Sequence, residues 1–134
     1  MKPDKFLVSI SAVVFLAYGA WFVISPGAAF TLITGGSATG GSALVDIRAT
    51  YGGMSLGVGA LLGTVVLNPQ WLRAGLLGVL FIMVGMAGGR AIGLITASPG
   101  NHPTMWAYLA VEVIAAAAVL FVLIRNRQAD SKSG

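Results

Sequence analysis

Four long apolar runs, each ended by a short polar break carrying proline, glycine or asparagine, organise this chain. The first extends from about Phe6 to Ile24 and stops at Ser25-Pro26-Gly27. The second, from about Ala43 to Leu67, stops at Asn68-Pro69-Gln70. The third, from about Trp71 to Ala97, stops at Ser98-Pro99-Gly100, and the fourth runs from about Met105 to Ile124. Each approaches or exceeds the ~20 residues a helix needs to cross a hydrocarbon core, and the breaks are turn and helix-stop signals. No run alternates apolar with polar residues, so none reads as a strand. The pattern predicts an all-α fold, a single transmembrane domain built as a four-helix bundle. Its spans fall at residues 6–24, 43–67, 71–97 and 105–124, with a flexible tail at 125–134.

Composition strengthens that reading. Of 134 residues, 57% are hydrophobic and 9% charged, against about 25% charged in soluble domains. The absence of cysteine excludes thiol–disulfide exchange, iron–sulfur clusters and cysteine-ligated zinc. The net charge of +4 does not point to nucleic acid, because the cations sit at the ends of apolar runs rather than on a domain that would present them. Lys2, Lys5, Arg73, Arg125, Arg127 and Lys132 fall on one side of a four-span topology, and the loop from Pro26 to Leu44 carries none. By the positive-inside rule both termini are cytoplasmic, in a multi-pass protein of the inner (plasma) membrane. Trp21 and Trp106 then mark the outer interface and Trp71 the cytoplasmic one. The first run also invites reading as a signal peptide. It exceeds the usual ~7–15 residue apolar core and carries Tyr18 and Trp21, so it reads as a retained span.

Against this background Arg48, Arg90 and Glu112 stand out, with Asp46 beside them. A charge within a span costs at least a few kcal/mol, so its presence is a functional-site hypothesis by default. Topology places Asp46 and Arg48 near the outer end of span two. Arg90 lies seven residues before Ala97 and Glu112 seven into span four, each about 10 Å deep at ~1.5 Å per residue. The expectation is one cluster in the outer half of the membrane, with Arg90 or Arg48 contacting Glu112. Tyr108, one turn before Glu112, and Tyr51, three residues after Arg48, are placed to hydrogen-bond into it. The alternative is a polar clasp that fixes helix register without chemistry. Gly53/Gly57, Gly59/Gly63 and Gly85/Gly89/Gly93 form small-xxx-small rows suited to close helix packing. His102 lies alone in the third loop and lacks the partners a metal site needs, so no metal is expected. Met83, Met86 and Met105 read as core filling or lipid-facing.

The run Asp46-Ile47-Arg48-Ala49-Thr50-Tyr51-Gly52-Gly53, followed by Gly88-Gly89-Arg90-Ala91-Ile92-Gly93 and then Glu112, resembles the DUF4345 family of small bacterial membrane proteins. The resemblance covers essentially the whole chain. The family's first acid is often Glu, whereas here Asp46 gives a shorter reach. The family is similar in turn to DoxX-like four-helix proteins, some of which accompany quinone-linked oxidoreductases. That is a likeness of fold and transfers no reaction.

Three functional readings follow. The first is a non-enzymatic accessory subunit, or a binder of a lipid-like or quinone-like molecule, partnered by the bilayer and by such a molecule or a membrane protein. The second is a membrane-embedded isomerase or cyclase using Glu112 or Asp46 as general acid/base, with Arg48 and Arg90 stabilising negative charge. The third is proton-coupled or small-solute transport by a homo-oligomer, four helices being few for a pore. No nucleotide loop, catalytic triad, metal constellation or haem motif is present. The chain therefore leans away from an enzyme and implies no cofactor.

Overall fold

The computed structural model describes residues 1–96 and 103–133, with side chains through residue 128. Helices α1 (Pro3–Ile24), α2 (Pro26–Thr34) and α3 (Gly41–Ile47) come first, followed by a π-helical stretch (Arg48–Gly53) and α4 (Met54–Leu67). A 3₁₀ turn (Pro69–Trp71) leads into α5 (Leu72–Thr96), and α6 (Pro103–Ser133) completes the chain. Because α3, the π stretch and α4 are continuous, four helical stretches are long and apolar enough to cross a membrane: Pro3–Ile24, Gly41–Leu67, Pro69–Thr96 and Pro103–Gln128. The fold is all-α, with no strand among the described residues. Pro3, Pro26, Pro69 and Pro103 each open a helical segment. A first-turn residue has no intrahelical partner for its N–H, and proline's fixed φ suits that position.

The helices are apolar all round rather than amphipathic. Phe81 (70% exposed), Ile95 (82%) and Ile114 (67%) show how much large apolar surface faces outward. In water that surface would be prohibitive; in lipid it is the expected exterior. Val8, Ala12, Leu62, Val65, Leu76, Val79, Val119 and Val122, from α1, α4, α5 and α6, pack as one buried cluster. α1 lies most extensively on α4 and α5 on α6, with α1 also meeting α5. Lys2, Pro69 and Arg125 border one cleft, so the two chain ends share one end of the bundle.

Three features depart from the sequence reading. The loop expected between the first two spans contains α2, which places Ala29 (0% exposed), Phe30 and Ile33 against Phe22 and Ile47. This short helix ends at Gly35, whose φ of 74° closes the C-terminus in the left-handed region that glycine enters freely. The stretch from residue 125, expected as a tail, continues α6 to Ser133.

The third departure concerns the glycines. A Cβ on Gly57, Gly85, Gly89 or Gly93 would meet nothing within 4 Å, and one on Gly53 would meet only the Arg48 carbonyl at 4.0 Å. The close approaches lie elsewhere. A Cβ on Gly19 would fall 2.7 Å from the Leu56 nitrogen and 2.8 Å from the Gly52 oxygen, and one on Gly52 3.0 Å from the Val23 nitrogen. Of the expected rows, Gly59 alone packs closely, against Leu16, while a Cβ on its partner Gly63 would meet nothing within 4 Å. Glycine spacing along one helix does not reveal which face the neighbour takes. One close-packed seam runs between α1 and the Gly52–Gly59 face, and Gly75 of α5 makes another close approach, to Val65.

Candidate functional site

Arg90 stands six residues before the end of α5 and Glu112 nine after the start of α6, about 9 Å and about 14 Å along their axes. Their side chains meet across the α5–α6 seam. Arg90 Nη2 donates to Glu112 Oε1 at 2.7 Å, and Nε donates to Oε1 and Oε2 at 3.1 Å each. This is the one ion pair among the described residues. Glu112 is 5% exposed, and no buried polar side-chain atom among the described residues lacks a partner. The geometry is what a charge pair in a poorly solvated site requires, since an uncompensated partner there is far costlier.

Helix α6 builds the seat for the guanidinium. Met105, Tyr108 and Glu112 recur at helical spacing and so lie on one face. Arg90 Nη1 donates to Met105 Sδ at 3.3 Å, and the Arg90 Cζ sits 5.4 Å from the Tyr108 ring centroid. Tyr108 thus joins the pair through its ring face, as a cation–π partner, rather than through its hydroxyl. Met105, expected as filler, is a contact of the site.

The other expected members go elsewhere. Arg48 Nε donates to the Val23 carbonyl at 2.9 Å, capping the last turn of α1, where unsatisfied carbonyls and the helix dipole favour a cation. Tyr51 stacks on Phe22, with centroids 5.3 Å apart and planes at 22°, and meets Phe30 edge-on at 6.4 Å. Asp46 is exposed and has no hydrogen bond or ion pair among the described residues. The single cluster read from the sequence therefore resolves into two groups: Arg90, Tyr108 and Glu112 on α5–α6, and Arg48 with Tyr51 at the α1–α3 end. Arg48 and Tyr51 both lie in the π stretch, where Met54 N–H bonds the Ala49 carbonyl five residues back. His102 lies outside the described residues.

The pair opens on a cavity of about 430 Å³ between α1, α2, α5 and α6. Val14, Phe15, Leu32, Ile33, Met83 and Met86 give it apolar walls; Tyr18, Trp21, Arg90, Tyr108 and Glu112 bring the polar groups. Tyr18 was not singled out from the sequence. The depth argument applied to Arg90 reaches it too, since Tyr18 also lies six residues before the end of its helix. Among the described residues no three His, Asp or Glu side chains come close enough to hold a metal ion.

The fold and these spans define a multi-pass helical membrane protein with a charge pair beside an apolar cavity. The chain belongs to the family described as a domain of unknown function (DUF4345), which it matches over residues 4–123. Nothing among curated proteins or solved structures matches it.

Proposed function

We propose that this protein is a non-enzymatic membrane component that holds a hydrophobic, lipid-like or quinone-like molecule in the cavity between α1, α2, α5 and α6. The observation that carries this reading is the cavity's chemistry. Its volume falls within the ~300–1,000 Å³ of small-molecule sites, which pair apolar walls with a few converging polar groups. Here Tyr18, Tyr108 and the Arg90–Glu112 pair are the polar residues among an otherwise apolar lining. An apolar tail fits against Val14, Phe15 and Met83, and a carbonyl or hydroxyl head fits against Arg90 or Tyr18.

The state of Glu112 favours binding over acid/base chemistry. Its carboxylate already accepts three hydrogen bonds from Arg90, which leaves little of its acceptor capacity for a substrate. The cations Lys2, Arg73, Arg125 and Arg127, gathered at the end bearing the termini, support an inner-membrane orientation with that end cytoplasmic and the cavity in the outer half.

The test is solvent extraction and native mass spectrometry of protein purified in lipid nanodiscs. The wild type is expected to yield a bound hydrophobic molecule in near-stoichiometric amount. Met86→Trp, which adds bulk at a partly exposed cavity wall, is expected to lose it while remaining folded. Equal recovery from both, or none from the wild type, overturns the reading.

A further inference from the structure

At the opposite end of the bundle from α2, a second cleft of about 530 Å³ is bordered by the start of α1, the turn before α5 and the late turns of α6. Lys2, Arg73, Arg125 and Arg127 all line it. Cations at the ends of spans are ordinary topology signals, and nothing in that role requires them to converge. Here three separate parts of the chain bring four cations to one concavity.

The cleft holds little to neutralise them. Asp4 is its one carboxylate, and Asp4 Oδ1 already accepts the Lys5 backbone N–H at 2.7 Å. None of the four cations makes an ion pair among the described residues. Four positive charges facing one committed carboxylate leave a net attraction for an anion. Between the cations the floor carries two half-buried leucines, Leu72 and Leu123. A soluble anion has no use for such a floor, whereas a lipid lays its glycerol and upper acyl carbons on it. The cleft also lies where the apolar spans end, the level of lipid headgroups.

We infer that this cleft binds the phosphodiester headgroup of an anionic phospholipid, with Arg73, Arg125 and Arg127 on the phosphate and the leucines beneath the glycerol. Arginine's planar fork matches phosphate oxygens in pairs, and basic pockets between membrane helices recognise such headgroups. The inference is independent of the cavity at the other end.

The experiment places the full chain in nanodiscs of phosphatidylcholine with a minority of either phosphatidylglycerol or cardiolipin. Native mass spectrometry then counts the lipids retained on the ejected protein. Anionic lipid is expected to be retained over phosphatidylcholine. Arg73→Gln and Arg125→Gln are each expected to lower retention about fivefold, while Arg125→Lys, which keeps the charge but loses the planar fork, falls between Arg125→Gln and wild type. Lys5→Gln removes a charge at the same end without touching the cleft, and it should leave retention within about twofold of wild type. Nanodiscs expose both faces, so altered membrane orientation does not affect the count, and circular dichroism checks that each variant is folded. A loss from Lys5→Gln equal to that from Arg73→Gln would reduce the effect to general surface charge and overturn the site. Displacement of the lipid by excess inorganic phosphate would assign the cleft to a soluble anion and overturn the lipid reading.

Discussion

Removing Glu112 and removing Arg90 should each damage the protein far more than removing both. The pair has three donor–acceptor distances of 2.7–3.1 Å and side chains exposed by only 22% and 6%. At about 4 Å between charge centres and an effective dielectric near 20, their attraction is about 4 kcal/mol. Glu112→Leu strands a guanidinium that does not deprotonate, with Met105 and Tyr108 as its remaining contacts. Arg90→Met strands a carboxylate that is 5% exposed. We therefore expect about 3–5 kcal/mol of destabilisation for each single variant. The double variant replaces the pair with apolar side chains of similar length and should lie within about 1–2 kcal/mol of wild type. Steric trapping in bicelles measures each unfolding free energy, and the cycle gives a coupling of at least about 4 kcal/mol. Additivity within about 0.5 kcal/mol would refute an energetically coupled pair. A double variant as damaged as the worse single one would show that the charges serve the fold by some other route.

Three further outcomes test the packing. Gly19→Ala should destabilise by about 1–3 kcal/mol in detergent melts, because its methyl would meet the backbone of Leu56 and Gly52. Gly89→Ala should be neutral or stabilising by up to about 1 kcal/mol, since nothing lies within 4 Å of it and alanine is the better helix former. If the Gly89 variant instead lost stability and eluted as a smaller species, that face would be occupied by a second copy, as the transporter reading requires. Arg48→Gln should cost about 0.5–1 kcal/mol by uncapping the Val23 carbonyl. It should leave the molecule extracted from the cavity unchanged; loss of that molecule would return Arg48 to the site.

The cavity charges were partly legible in the chain because depth is a one-dimensional quantity. Counting residues from a span's end locates Arg90 and Glu112 at compatible levels, and the high cost of an isolated charge forces them together. Rotation is a different matter. These helices are apolar on every face, so no polar stripe reveals which side turns inward. The glycine rows on α5 and the Gly53/Gly57 row therefore promised contacts that are not made, and of the Gly59/Gly63 row only Gly59 meets α1, with Gly52 beside it. Arg48 misled for a related reason: its partner is a backbone carbonyl, and every residue carries one, so no side-chain pattern announces it. Nor did the α2 segment carry a length or polarity pattern to separate it from a loop, and its burial depends on Phe22 and Ile47 being beneath it.

What the sequence determined by itself is therefore the solvent and the depth: four spans, and charges whose level follows from residue count. Both rest on transfer costs that accrue residue by residue. What the tertiary structure decided is azimuth. It placed Glu112 and Tyr108 toward Arg90, turned Arg48 onto the end of α1, and opened an apolar cavity beside the one ion pair among the described residues. Azimuth depends on the fit of several surfaces at once, and no single run of residues encodes that fit.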